Sequence, residues 1–285
     1  MAANNSVDHV RPIRTKRYFD YVSADLIEDI CSDAAESMDS ETDSSLAVHI
    51  GSFFKKFGFT DIIFFKKPGQ RDSDFDGVYR SLMKSDGPVR CHNCVEIEAG
   101  SENELYSLIR KERPNADFIA VRSSDEKIIR AAAESFETDL IIPVSYAEKR
   151  SQNSGSTLHV SAGQINHIAA KIARDKKTAF AFDLYPFLQT KGYRRSKLFS
   201  DCMEMIPILR KYGVPVLPVS GAVSYYEARG PYECEAFGTL LGLSKEEAVR
   251  GVSDVPAEIF ERRKKQKSGQ IISSGVEMIS NERQD

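Results

Sequence analysis

Between Asp183 and Lys197 the chain reads Asp-Leu-Tyr-Pro-Phe-Leu-Gln-Thr-Lys-Gly-Tyr-Arg-Arg-Ser-Lys. Lys191, Arg194, Arg195 and Lys197 surround Gly192, which allows a tight turn, and Tyr193. Arginine forks match phosphate oxygens, and a tyrosine ring offers a stacking face to an unpaired base. Cations beside an aromatic at a helix start therefore suit RNA. A solvated basic surface gives the same pattern, so the spacing alone leaves both readings open.

Other chemistries have weaker support. Asp20, Glu96, Glu98 and Asp183 could form a carboxylate ring at the ends of strands, as in hydrolytic metal barrels. Such barrels also use histidine. The candidate first strand, Tyr18-Phe19-Asp20-Tyr21-Val22, has no His-x-His, and the five histidines form no close ligand pair. Inward carboxylates paired with Lys or Arg are the preferred reading. Cys91-His92-Asn93-Cys94 has the spacing of half a zinc site but lacks a second half, so Cys94 is read as beginning a strand. Neither a Gly-x-Ser-x-Gly nucleophile turn nor a phosphate-binding Gly-Lys-Ser/Thr occurs.

These groups must be positioned by alternating elements. Candidate strands cover Tyr18–Val22, Asp61–Phe65, Cys94–Ala99, Asp117–Val121, Asp139–Val144, Thr178–Leu184 and Pro215–Val219. Helical patterns cover Ser44–Phe57, Glu102–Lys111 with Ser101 as cap, Asp125–Glu134, Ala162–Arg174 and Lys197–Tyr212. Ser196 is the expected cap of the last of these, and Pro207 should kink or divide it. Ser244 and Glu247 form a capping box, and a further helix starts near Ser253 with Pro256 in its first turn.

Repeated β-then-α units argue for parallel strands, either an open doubly wound sheet or a closed barrel. No strand is followed by the glycine-rich dinucleotide turn. Glu96 and Glu98, two apart on one strand, should share a face toward the barrel interior or mouth.

The 285 residues carry a net charge of −3, with 41% hydrophobic and 28% charged side chains, as in a globular protein. Charge is uneven. Tyr21 to Ser45 holds eight acidic residues and no lysine or arginine, whereas Arg262, Arg263, Lys264, Lys265 and Lys267 crowd a late segment. A modest net charge does not exclude RNA, because phosphates respond to local potential. Five scattered cysteines suggest free thiols, and nothing resembles a membrane span or signal peptide, so a cytoplasmic location is expected. Residues 1–17 read as a basic, disordered extension, residues 18–267 as one α/β unit, and residues 268–285 as a flexible tail.

Phe182-Asp183-Leu184, Gly192-Tyr193-Arg194-Arg195 and Lys211-Tyr212-Gly213-Val214-Pro215-Val216 closely resemble the archaeal RNase P protein component 3 family. That family is the counterpart of the eukaryotic thirty-kilodalton RNase P subunit. Ser220-Gly221-Ala222, Arg229-Gly230-Pro231-Tyr232 and Leu240-Leu241-Gly242-Leu243-Ser244 extend the match in the same order. The resemblance runs from about Arg17 to Lys267 and is strongest from Thr178 onward.

The resemblance implies a TIM-barrel-like parallel fold of the polymerase-and-histidinol-phosphatase type, without its metal-ligand motif. It implies a subunit of a ribonucleoprotein endonuclease that removes the 5′ leader of precursor tRNA. Catalytic RNA, using Mg²⁺, would carry the chemistry, and this chain would supply no catalytic group, metal site or cofactor. Expected partners are that RNA, RNase P protein component 2, further protein subunits and precursor tRNA. RNA contact carries over to Arg150, Arg194, Arg195 and Arg229, and less directly to Lys197 and Lys211; Lys191 and Tyr193 join through their place in the loop. Val223 stands where the family often has a polar residue. A metal-dependent phosphoesterase on the same barrel and a scaffold binding only proteins are the alternatives.

Overall fold

A computed structural model describes residues 16–35, 43–69, 76–84, 87–151, 155–268, 271–273 and 276–277. Elements follow in chain order: β1 (Phe19–Ser23), α1 (Asp25–Ala35), α2 (Asp43–Phe57), β2 (Asp61–Lys66), α3 (Asp76–Lys84), β3 (Arg90–Ile97) and α4 (Glu102–Glu112). Next come β4 (Phe118–Arg122), α5 (Glu126–Glu134), β5 (Leu140–Ile142), β6 (Val144–Ser151), β7 (Gly155–Ala162) and α6 (His167–Lys176). The last part holds β8 (Ala179–Asp183), α7 (Tyr185–Gln189), α8 (Gly192–Tyr212), β9 (Val216–Val219), α9 (Pro231–Leu240), α10 (Lys245–Gly251) and α11 (Asp254–Lys267). A short pairing, Ile271–Ser273 with Val276–Glu277, follows. None of the described helices is long and apolar enough to cross a membrane.

The main sheet runs β1-β2-β3-β4-β5-β8-β9, and every pairing in it is parallel. Its edges meet. Ser220 N and Oγ reach Asp20 at 2.8 and 2.5 Å, Gly221 N donates to Tyr21 O at 3.0 Å, and Ser23 N donates to Ala222 O at 2.8 Å. The result is a nearly closed seven-stranded barrel with helices outside.

Strand alternation separates an interior core from two outer ones, of which Val22, Ile62 and Phe64 with α1–α3 form one. Phe19, Tyr21, Ile63, Cys94, Phe118, Ala120, Leu140, Ala181 and Leu217 fill the barrel, while Val95, Ile97, Val121, Ile141, Phe180 and Phe182 pack against the outer helices. Helix α11 plugs the N-terminal end, with Val255 and Ile259 in the interior cluster. It is fastened by Asp139, just before β5, whose carboxylate takes Arg263 at 2.5 Å, Arg113 at 2.9 Å and Arg262 at 3.1 Å.

The expected strands all form, with β3 starting four residues before Cys94. Three expectations need correction. Residues 144–151 and 155–162 pair as antiparallel strands, so Ala162 ends a strand and α6 starts at His167. Helix α8 starts at Gly192 with Lys191 in the capping position, placing Ser196 inside it. Pro207 lies within α8 without dividing it; the carbonyl it leaves without a donor belongs to exposed Met203, where water can serve instead. Ser101, Asp125 and Ser244 cap their helices, the last in a complete capping box. The disorder expected of residues 1–17 and 268–285 falls mostly outside the described residues, though Arg17 is described and pairs with Asp61.

Candidate nucleic-acid interface

At the C-terminal mouth of the barrel the inward carboxylates do meet a cation. Arg122, the last residue of β4, is fully buried. Its Nε and Nη2 donate to Glu96 at 2.8 and 2.9 Å, and Nη1 donates to Val144 O at 2.8 Å. Nη1 also lies 3.0 Å from Asp183 Oδ2. Tyr21 Oη donates to Glu96 Oε2 at 2.5 Å, and the Tyr146 ring covers the guanidinium at 4.6 Å. Burial alone would lower the Arg122 pKa, but Asp183 and Glu96 outweigh it and raise it well above the ordinary value. Burial raises the Asp183 carboxyl, with Arg122 opposing.

Two residues leave the expected ring. Glu98 lies past the end of β3, where its exposed carboxylate pairs with Lys67 at 3.1 Å, so the two-residue spacing does not carry it inward. Asp20 alternates with the inward Phe19 and Tyr21, so it faces the β9 extension instead. The Cys-His-x-Cys segment likewise divides between faces. Cys94 is interior, His92 Nε2 lies 2.9 Å from Asp61 Oδ1, and burial pushes the Cys91 thiol up to about 12. Among the described residues no His/Cys/Asp/Glu group could hold a metal ion. At the mouth the Arg122 cation occupies the space between Glu96 and Asp183.

The basic segment leaves β8 at Asp183, turns through α7 and enters α8 on the outer rim of the same mouth. Gly192 has φ +56°, a left-handed conformation that favours glycine. Tyr193 is 82% exposed. The Arg194 and Lys191 side chains are exposed and make no hydrogen bond or ion pair with another described residue. Arg195 turns inward, with Nε to Thr190 O at 2.6 Å and Nη2 to Leu188 O at 3.4 Å, so it caps the end of α7. Lys197 pairs with Asp201 one turn on.

Arg229 donates to the carbonyls of Tyr226 and Ala228, both at 2.8 Å, in the loop after β9. Gln189 Nε2 to Glu227 Oε1, 2.5 Å, ties that loop to the start of the basic segment. Arg150 is the next-to-last residue of β6, with its side chain outside the described residues. Lys211 is exposed at the far end of α8, roughly 25 Å along the helix from Arg194 at 1.5 Å per residue. The rim therefore gathers Lys191, Tyr193, Arg194 and Arg229, with Arg195 and Lys197 beside them, and leaves Lys211 apart. Sequence reasoning missed Arg122, which lies one residue beyond the expected strand. It also missed Tyr226, whose exposure no spacing announces.

The molecule is thus a β/α barrel of amidohydrolase-like shape, with a buried ion-pair cluster at its mouth and the unpaired Lys191 and Arg194 outside on the rim. A solved amidohydrolase shares that shape at TM-score 0.51 and 10% identity, over 88% of this chain and 75% of the other. The chain belongs to the RNase P subunit p30 family, whose model matches residues 34–268. It is 33% identical over 199 residues to Ribonuclease P protein component 3 of Methanococcoides burtonii, covering 69% of this chain and 76% of the relative. The corresponding protein of Methanococcus vannielii is 22% identical over 79% of this chain and 91% of its own length. One chain in the cryo-EM structure of archaeal Ribonuclease P with mature tRNA matches the fold at TM-score 0.64 and 18% identity, over 93% of this chain and 99% of that chain.

Proposed function

We propose that this chain is a cytoplasmic protein subunit of ribonuclease P, supporting removal of the 5′ leader from precursor tRNA. The family match across residues 34–268 carries this reading. The catalytic RNA performs the cleavage and uses Mg²⁺, while the chain binds no cofactor of its own. Its partners are that RNA, component 2, the other protein subunits and precursor tRNA. Arg194, Lys191, Tyr193 and Arg229 on the rim are the side chains proposed to meet RNA. Phosphate contacts of this kind hold and orient RNA without choosing its sequence.

The test is reconstitution. Purified chain alone should leave precursor tRNA intact, and adding it to catalytic RNA and the remaining proteins should raise 5′ processing. Accurate processing by the RNA-free chain, or hydrolysis of a generic phosphoester with added Mn²⁺ or Zn²⁺, would favour a phosphoesterase. Absence of salt-sensitive RNA binding in the assembly would favour a protein-only scaffold.

A further inference from the structure

Large apolar side chains at a surface favour a partner, because rings left in water forgo burial. Among the described residues the three most exposed large hydrophobic side chains are all tyrosines: Tyr226 at 84%, Tyr193 at 82% and Tyr232 at 77%. All three stand on the loops or helix starts that follow β8 and β9. Those connections are neighbours. Leu184 N donates to Val219 O and Tyr185 N to Ser220 O, both at 3.0 Å, and the Phe187 and Phe237 rings of α7 and α9 lie 5.1 Å apart. The Gln189–Glu227 hydrogen bond joins the turn bearing Tyr226 to the segment bearing Tyr193.

Each ring is set on rigid support. Tyr193 is the second residue of α8 and Tyr232 the second of α9, after Gly230 and Pro231. Gly230 allows close packing there: a Cβ would lie 3.1 Å from Phe57 O. The Tyr225 ring meets buried Phe53 at 5.0 Å and Tyr226 edge-on at 5.5 Å, so Tyr226 rests on a ring that is itself anchored on the core. Lys191, Arg194 and Arg229 are interleaved with the rings in sequence. The nearby carboxylates are largely engaged. Glu227 accepts from Val223 N, Ser224 N and Gln189, and Asp29 accepts from Tyr225 N, which leaves exposed Glu233 as the carboxylate nearest Tyr232.

We infer that this rim is a stacking platform for unpaired RNA, with Tyr193 and Tyr226 as the principal base-stacking faces and Tyr232 extending them. The inference rests on the RNA-binding reading above and specifies which state of RNA the rim takes. In a duplex the base faces are already covered, so only unpaired nucleotides can use exposed rings beside cations.

The test uses the full chain and one fluorescently labelled oligoribonucleotide, either single-stranded or annealed to its complement, across a salt series. The chain should favour the single strand. Tyr193→Ala and Tyr226→Ala should each weaken single-strand binding roughly tenfold and leave duplex binding and the salt slope unchanged. Tyr193→Phe should retain affinity, since the ring remains. The sequence contains no tryptophan. Tyr193→Trp therefore supplies a lone indole, whose emission should be quenched by the single strand alone. Wild-type affinity in both alanine variants, with salt-sensitive binding intact, would overturn the platform and leave the RNA-contact reading standing. No salt-sensitive binding of either RNA form would remove both. Loss of co-elution with component 2 in the alanine variants, with RNA binding unaltered, would assign the rim to a protein and overturn the inference.

Discussion

Arg122 Nη1 stands 3.0 Å from Asp183 Oδ2 across the mouth of the barrel, yet neither Asp183 oxygen receives a well-directed side-chain hydrogen bond. The guanidinium spends its directed bonds on Glu96 and on the Val144 carbonyl. Asp183 thus balances charge without being well solvated, and the three residues make unequal contributions.

Arg122→Met should destabilise the fold by about 3–5 kcal/mol, because it leaves two carboxylates buried without a counter-charge. Adding Glu96→Met should recover part of the loss, since one of the two uncompensated carboxylates is then gone and Asp183, whose ionisation burial opposes, remains. Asp183→Asn should be the mildest of the single changes at neutral pH, because it removes a carboxylate whose ionisation burial already opposes. Urea unfolding midpoints across the set decide this; an Asp183→Asn loss as large as that of Arg122→Met would contradict the account.

Asp20 gives a pH signature. Burial raises its carboxyl from the ordinary 3.8 to about 7, against hydrogen bonds from Ser220 and from Tyr21 N. The folded state then holds the proton more tightly than the unfolded chain, so this group's stabilisation is full below about pH 4 and is lost as pH rises to about 7. Asn at this position can accept from both backbone N–H groups and donate to Ser220 Oγ. Asp20→Asn should therefore flatten stability between pH 4 and 7 and gain relative to wild type at pH 7. Denaturation midpoints in that window test it, and an unchanged slope would count against it.

Asp61 behaves in the opposite sense. Burial would raise its carboxyl, but His92, Arg17, Arg90 and Thr60 outweigh that and hold it far below the ordinary range. Its stabilisation is present above about pH 4 and is lost as pH falls below the ordinary carboxylate value. Asp61→Asn should lower stability at pH 7 and reduce the additional loss on acidification, as read by thermal unfolding at pH 7 and pH 3.

Adjacent arginines on the rim should separate cleanly. Arg194→Ala should leave the melting temperature within about 1 °C and flatten the log–log salt dependence of RNA binding by roughly 0.7–0.9. Arg195→Ala should instead cost about 1 kcal/mol of stability, through lost hydrogen bonds to Thr190 and Leu188 carbonyls, with little effect on the slope. Equal slope changes in both would show that Arg195 also reaches phosphate.

Much of the barrel was legible because parallel strands buried on both faces read as short apolar runs between helical patterns. The β6–β7 hairpin was not, because it interrupts the β-then-α rhythm and its final strand continues into a helical pattern. Gly192-Tyr193-Arg194-Arg195 was visible as a basic loop, but no spacing could show that Arg195 folds back onto α7 while Arg194 stays free. Asp20 and Glu98 were misplaced for one reason. Alternation gives a face only once the strand's parity and end are known, and Phe19 and Ile97 fix these in three dimensions. The same parity, started from Phe118 and Ala120, would have brought Arg122 into the mouth.

The bond between Asp20 and Ser220 spans 200 positions, and Phe19 N bonds Val252 O at 2.8 Å. During synthesis at 5–20 residues per second, β1 therefore waits roughly 10–40 s for the segment that closes beside it. Through that interval the nascent sheet carries an open edge, and the α11 plug that fills the interior emerges later still. Unpaired edges invite pairing with other chains. This barrel should consequently be most prone to aggregation on the ribosome, before Ser220 and α11 have been made, and a chain halted short of Ser220 should be recovered chiefly bound to chaperones or in aggregates.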